Sequence, residues 1–280
     1  MSPEPTTAGA LIDRFEAVLL DAYGVLVDGE GALPHAAAFV DALTARDRRW
    51  LVVTNDASRS PAASAARYRR LGLAVPDDRV LTSGMLLSAD FAAHGLEGAE
   101  TLVLGTEDTF AYVRDAGGIP VGPEAVELDR TRALVVGDLD GYPLQRGMDA
   151  ALSLCLHRVG RGAPLDLVLP NPDLVYPQSP GRFGFAAGSL AEALERALDL
   201  RHPGEGPRFR RLGKPHPAVF EAAMARLGTR DAVMIGDQLV TDVAGARRAG
   251  LTAALLAEGV GGKSTSPDLT PHFHLASLRV

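Results

Sequence analysis

The stretch Glu16-Ala17-Val18-Leu19-Leu20-Asp21-Ala22-Tyr23-Gly24-Val25-Leu26 decides the fold. A short apolar run that ends in an aspartate, followed closely by glycine, reads as a strand buried on both faces of a parallel sheet. Such a strand delivers its terminal carboxylate to the carboxyl edge of the sheet, where open α/β folds place their chemistry. If Asp21 is a nucleophile, a second acid is expected two residues later. The chain carries Tyr23 there, and much of the functional reading turns on that residue.

Working outward, apolar strand-like runs recur at Trp50–Thr54, Val80–Ser83, Thr101–Gly105, Ala133–Val136, Leu165–Leu169, Ala232–Ile235 and Thr252–Leu256. Between them lie Ala-, Leu- and Arg-rich stretches with helical patterning: Ala36–Arg46, Ala62–Leu71, Met85–His94, Leu144–Leu156, Leu190–Leu198, Pro217–Leu227 and Asp242–Ala249. The alternation predicts an α/β protein with a mostly parallel sheet covered by helices on both faces. The Gly/Pro/Arg-rich stretches Val159–Pro164 and Arg201–Arg211 read as loops.

With 280 residues, 46% of them hydrophobic, the chain can bury a substantial core. A formal charge of −7 offers no basic surface for nucleic acid. A single cysteine, Cys155, excludes an intramolecular disulfide and fits a reducing compartment, and its leucine neighbours predict a packed helix position. The first ten residues lack the basic and apolar segments of a signal peptide, and no apolar run is long enough to span a bilayer. A cytoplasmic protein without membrane partners is the expectation.

Three further segments end elements in reactive groups. Leu51-Val52-Val53-Thr54-Asn55 closes a strand in a hydroxyl and an amide, Gly213-Lys214-Pro215 precedes a helix, and Gly236-Asp237 is followed five residues on by Asp242. Taken singly, each has a plain structural explanation, such as an N-cap or a turn. Together they supply a nucleophile, a hydroxyl donor, a cation and metal-binding carboxylates. Phosphoryl transfer needs that set, because its transition state depends on positioning and charge neutralisation.

The ordered set Asp21-Ala-Tyr-Gly-Val, Val53-Thr54-Asn55, Gly213-Lys214-Pro215 and Gly236-Asp237 with Asp242 resembles the haloacid dehalogenase-like hydrolases. The further segments Thr82-Ser83-Gly84 and Asn171-Pro172-Asp173 are similar to their NagD-like subfamily IIA. The resemblance implies a Rossmann-like three-layer α/β/α core from residues 1–84 and 190–280, with an inserted α/β cap (type C2) at 85–189. It implies a Mg²⁺-dependent phosphatase of a small phosphorylated metabolite such as a sugar phosphate, and a homodimer to which the cap contributes. Catalysis would rest on Asp21, Thr54 and Lys214. Mg²⁺ would be held by Asp21, Asp237, the Tyr23 main-chain carbonyl and Asp242, the last directly or through water. Tyr23, Asn55, Asn171 and Asp173 would meet the substrate.

In the family's phosphatases the residue at position 23 is the acid that protonates the leaving group. Tyrosine, with an unperturbed pKa near 10, is poorly matched to that task. Asp28, His35 and Asp56 are nearby replacements in sequence. Two alternatives follow: a weakly catalytic protein that binds phosphate or sugar phosphate, and a haloacid dehalogenase, whose halide leaves without a proton. Asp237, Asp242 and Lys214 argue against the second, which has no use for a metal. Ala257–Ser264 approaches a phosphate-binding loop but lacks its first glycine, and His272 and His274 have no acidic partners nearby in sequence, so structural roles are expected for both segments.

Overall fold

A computed structural model of the chain describes residues 3–179, 181–257 and 269–280. Elements are numbered along the chain. Seven strands form the larger sheet: β1 (Glu4–Thr6), β2 (Ala17–Leu20), β3 (Arg49–Thr54), β4 (Val80–Thr82), β12 (Ala232–Gly236), β13 (Thr252–Leu256) and β14 (Phe273–Leu275). They pair in parallel in the order β1-β14-β13-β12-β2-β3-β4. Side chains alternate across this sheet. Leu19, Leu51, Val53 and Met234 pack with Val219 and Phe220 of α8 (Pro217–Leu227). Val18, Leu20, Val52 and Ile235 pack with Leu11 and Ile12 of α1 (Ala8–Arg14) and with Phe39 and Val40 of α2 (Ala36–Ala45). Helices on both faces explain why the central strands β2 and β12 are apolar at every position.

A second, five-stranded parallel sheet runs β11 (Arg210–Arg211), β8 (Asp166–Leu169), β7 (Ala133–Val136), β5 (Glu100–Leu104), β6 (Ile119–Val121). One face, with Leu102, Leu104, Leu134 and Leu167, packs on α6 (Leu144–Gly160) and α7 (Ala187–Arg201). The other face, with Val103, Val135 and Val168, joins Phe91 of α4 (Leu87–His94) and Val113 of α5 (Glu107–Asp115) in the apolar cluster that also holds Leu81 and Phe220. Both sheets therefore share one continuous core. The expected boundary at 189/190 cuts through α7. Pairing of β11 with β8 keeps the chain with the second sheet as far as Arg211, because the Arg201–Arg211 stretch read as a loop ends in a strand.

Further elements escape the sequence reading. An antiparallel hairpin, β9 (Val175–Ser179) and β10 (Arg182–Phe185), follows the Asn171-Pro172-Asp173 turn. Its proline, glycine and interrupted register hide the two-residue alternation of a strand. Helix α6 extends to Gly160, into the expected Val159–Pro164 loop. Cys155 is buried on it as expected, and that burial pushes its thiol up to about 12. Among the described residues, no helix is long and apolar enough to cross a membrane. The phosphate-loop-like segment falls largely on 258–268, outside the described residues. His272 accepts a hydrogen bond from the Ala253 amide at 3.0 Å, a structural role.

Helix α5 grips the loop that follows β3. Thr106 Oγ1 donates to the Ser58 carbonyl (2.7 Å), Thr109 Oγ1 to the Ala57 carbonyl (3.0 Å), and the Tyr112 hydroxyl to the Arg59 carbonyl (2.8 Å). Asp108 accepts from the Ser60 amide (2.7 Å), and the Tyr112 hydroxyl also lies 2.6 Å from Thr82 Oγ1. Tyr112→Phe should leave these buried groups short of a partner and lower stability by about 1–3 kcal/mol. Urea titration should show a lower midpoint at unchanged slope; an unchanged midpoint would rule the hydroxyl out as a fastening of α5.

Candidate active site

Strand β2 brings Asp21 to the carboxyl edge of the larger sheet, beside β12 on one flank and β3 on the other. The chain then turns sharply: the Leu26 and Val27 amides both donate to the Ala22 carbonyl (2.9 and 3.0 Å), and Gly24 adopts a φ of +86°. A Cβ on Gly24 would lie 2.3 Å from Asp237 Oδ2, so glycine is required both for the backbone and for the approach of that carboxylate. A short hairpin follows, closed by the Asp28 amide donating to Gly31 and the Leu33 amide to Leu26.

Asp237 follows the last residue of β12. A π-helical turn, Leu239–Val243, carries Asp242 back to the strand end, where its Oδ2 accepts from the Gln238 amide at 3.1 Å. A Cβ on Gly236 would fall 2.2 Å from the Asp242 Cβ, so this return also depends on glycine. One oxygen from each of Asp21, Asp237 and Asp242 can lie within 4.8 Å of the others, and all three residues are buried.

Lys214 reaches this cluster from the segment before α8. Its ammonium donates to Asp21 Oδ1 at 2.6 Å and to Asp242 Oδ1 at 2.7 Å, with only 2% of the residue exposed. Asn55, one residue past β3, fixes the lysine backbone: its Oδ1 accepts from the Lys214 amide (2.7 Å), and its Nδ2 donates to the Lys214 carbonyl (2.9 Å). A Cβ on Gly213 would lie 2.5 Å from Asn55 Oδ1, so the preceding glycine makes room for the clamp.

Three carboxylates against one ammonium leave the cluster with excess negative charge. Burial and the charge of Asp242 push the Asp21 carboxyl well above the usual carboxylate range, against the opposing pull of Lys214. Burial works against the Lys214 ammonium, but Asp21 and Asp242 outweigh it and hold the group charged. A ring of hard oxygen donors around unbalanced charge fits a divalent cation such as Mg²⁺ or Ca²⁺. The cradle that Gly24 leaves against Asp237 supports the same fit.

Asp21 and Lys214 sit at the floor of a cavity of about 620 Å³, whose walls also include Tyr23, Thr54, Asn55, Asn171 and Asp173. Thr54 Oγ1 accepts from the Asp56 amide (3.2 Å) at the end of β3. Asn171 Oδ1 accepts from the Asp173 amide (3.0 Å), and Asp173 Oδ1 in turn accepts from Asn55 Nδ2 (2.9 Å). The Asn-Pro-Asp turn of the second sheet thus contacts the residue that clamps Lys214. Burial raises the Asp173 carboxyl, with the Asn55 hydrogen bond opposing.

Tyr23 points away from the carboxylate cluster. Its hydroxyl lies 3.2 Å from where a Cβ on Gly29 would stand, and the Gln178 carbonyl of β9 is 2.1 Å from the same point. Burial, with Asp28 nearby, pushes the hydroxyl above its ordinary value, so at neutral pH it is a donor and not a proton shuttle. Of the replacement acids, Asp28 is engaged in its own turn with the Glu30 and Gly31 amides. His35 caps α2 outside the cavity wall. Asp56 lines the cavity but is paired with Arg59 at 2.9 Å. Sequence reasoning missed Arg59, Arg67, Tyr68 and the hairpin residues Tyr176 and Phe185, all on the cavity wall. Helix α3 (Pro61–Arg70) carries several arginines, and nothing in its pattern marks Arg67.

Comparison with known proteins agrees with this architecture. The family model for haloacid dehalogenase-like hydrolases matches residues 18–118, and the HAD-hydrolase-like model matches residues 211–279. Human chronophin is 30% identical over 287 residues, covering 96% of this chain and 92% of that protein. A possible sugar phosphatase of the HAD superfamily from Cytophaga hutchinsonii superposes with a TM-score of 0.83 at 27% identity, covering 100% of this chain and 99% of that one. Glycerol phosphate phosphatase from Mycobacterium tuberculosis, solved in complex with magnesium, gives a TM-score of 0.78 at 28% identity, covering 96% and 77%. With its carboxylate–lysine cluster at the edge of a parallel sheet, the chain belongs to the haloacid dehalogenase-like hydrolases, in the company of NagD-like relatives.

Proposed function

We propose that the protein is a Mg²⁺-dependent phosphatase that moves a phosphoryl group from a small phosphorylated metabolite to Asp21 and then to water. The observation that carries this reading is the buried Asp21–Lys214–Asp242 cluster, with Asp237 beside it, opening onto a cavity that Thr54 also lines. The names of the relatives, a possible sugar phosphatase and a glycerol phosphate phosphatase, support the substrate class. Residues 85–211 would act as the inserted cap, excluding water from the reaction and strengthening its electrostatics.

In this mechanism an Asp21 oxygen bonds to phosphorus while the bond from phosphorus to the leaving oxygen breaks, and that oxygen takes the electron pair. Water then attacks the aspartyl phosphate, releasing inorganic phosphate and regenerating Asp21. Lys214 offsets charge on the phosphoryl group, and the Thr54 hydroxyl and the backbone at Asn55 donate to its oxygens. Asp21, Asp237, Asp242 and the Tyr23 main-chain carbonyl would hold the Mg²⁺, which supplies charge neutralisation when bound. The Tyr23 hydroxyl, turned toward Gly29 and a weak acid, does not take the place of an acid that protonates the departing oxygen. Loss of general-acid help costs about 10²–10⁴-fold in rate.

Asp21→Asn should abolish Mg²⁺-dependent turnover; activity that survives it would sink the mechanism. An aryl phosphate should be hydrolysed faster than a hexose phosphate, because its leaving oxygen needs little protonation, and equal rates would remove the leaving-group argument. Tyr23→Asp should raise hexose phosphate hydrolysis by about tenfold or more if the missing acid limits the rate. The cation itself gives a test that does not depend on activity. A carboxyl raised in the folded state stabilises the protein fully below its unfolded pKa, and that contribution is lost as pH rises through the folded value. Stability of the metal-free protein should therefore suffer from Asp21 at higher pH, where a bound cation offsets the loss. The rise in Tm on adding Mg²⁺ should be larger at pH 8 than at pH 5; an equal rise at both would place the ion elsewhere.

A further inference from the structure

Arg67 is the observation that the mechanism leaves unused. It lies on α3, which follows the loop after β3, and its side chain lines the same cavity as Asp21 and Tyr23. The other cationic groups of that wall are committed. Lys214 is held between Asp21 and Asp242, and Arg59 is paired with Asp56 at 2.9 Å. Two residues on along α3, Arg69 pairs with Asp77 at 2.8 Å and donates to the Val75 carbonyl. Arg67 is half-buried, and its guanidinium makes no ion pair or hydrogen bond among the described residues. Its charge is nonetheless felt at the Tyr23 hydroxyl and at the neighbouring Tyr68.

A half-buried guanidinium without a counter-ion carries a desolvation cost that an anion from outside can offset. The cavity supplies two more features beside it. The Tyr23 side chain lines the same cavity, with its hydroxyl near Gly29. Asp138 and Asp140, in the loop after β7, also line the cavity, yet neither pairs with Arg67. The cavity, at about 620 Å³, has room for a substrate that reaches from the Asp21–Lys214 floor to this wall.

We infer that Arg67, with the Tyr23 hydroxyl beside it, forms a subsite for a second anionic group, a carboxylate or a further phosphate, carried on the part of the substrate that leaves. The inference rests on the phosphatase reading of the floor and narrows its substrates to doubly anionic phosphomonoesters or phosphoanhydrides. An arginine fork suits planar carboxylate and tetrahedral phosphate alike. Pairing that second anionic group with Arg67 would also ease departure of the leaving oxygen by offsetting negative charge near it. Neutral sugar phosphates lack the group that Arg67 would bind.

Binding and turnover test this separately. Two non-hydrolysable ligands, benzylphosphonate and 4-carboxybenzylphosphonate, are titrated into the wild-type protein with Mg²⁺ by calorimetry. The carboxylated ligand should bind at least about tenfold tighter, the scale of one charge-assisted hydrogen bond. In Arg67→Gln that ratio should collapse toward one, and Arg67→Lys should retain part of it. Equal affinity of the two ligands for the wild type, or a ratio that survives in Arg67→Gln, overturns the subsite. The matched substrates phenyl phosphate and 4-carboxyphenyl phosphate should give the same pattern in kcat/KM, and inorganic pyrophosphate compared with phenyl phosphate tells a phosphate preference from a carboxylate one. Preference for the carboxylated phosphonate in a protein that hydrolyses neither ester would support the subsite while overturning the phosphatase reading. Asp21-dependent turnover without any preference would do the reverse.

Discussion

The Lys214 ammonium, within 2.7 Å of both Asp21 and Asp242 and almost wholly buried, is the constraint on which the rest of the site depends. Leaving any of these charges buried without its partners costs several kcal/mol, so the segments that carry them must meet. They are distant in sequence: Asp21 and Lys214 lie 193 residues apart. The parallel sheet solves this by placing β2 and β12 side by side, so that their carboxyl ends present Asp21 and Asp237 together. Asn55 then holds both the amide and the carbonyl of Lys214, leaving the ammonium little freedom to leave the cluster. A single lysine for three carboxylates keeps the cluster short of positive charge.

The second sheet is fastened to this floor by polar and apolar contacts together. Asp173 hydrogen-bonds Asn55, the same side chain that clamps Lys214. Helix α5 binds the carbonyls of Ala57, Ser58 and Arg59 in the loop after β3. Below them, Phe91, Val113 and Val135 pack in one cluster with Leu81 and Phe220. On the far side of the cavity, the β9–β10 hairpin meets the turn after β2 at Gly29, where only a glycine allows Gln178 so close. Movement of the second sheet therefore disturbs the loop beside Thr54 as well as the cavity roof.

Much of the fold is legible from composition and period. The expected strands form within one or two residues of their observed bounds, because burial on both faces makes each a continuous apolar run. Two-residue and three-residue strands such as β11 and β6, and the hairpin with Pro177 and Gly184, leave no such run. Their pairing depends on partners far along the chain. Residues 190–211 stay with the second sheet for the same reason, since β11 exists only through its pairing with β8.

In the site, the four short motifs were readable because each places a reactive side chain at an element end, next to a glycine or a proline. The sequence by itself determined which groups meet there: a strand-end carboxylate, a lysine and two further acids, with tyrosine where an acid was expected. Tertiary structure alone decided where Tyr23 points, which carboxylates are committed to arginines, and that Arg67 faces the cavity without a partner. The physical reason is one of range. A strand end fixes the position of its own residue through the local backbone, whereas the company of a side chain is set by packing between elements that the chain joins only at a distance.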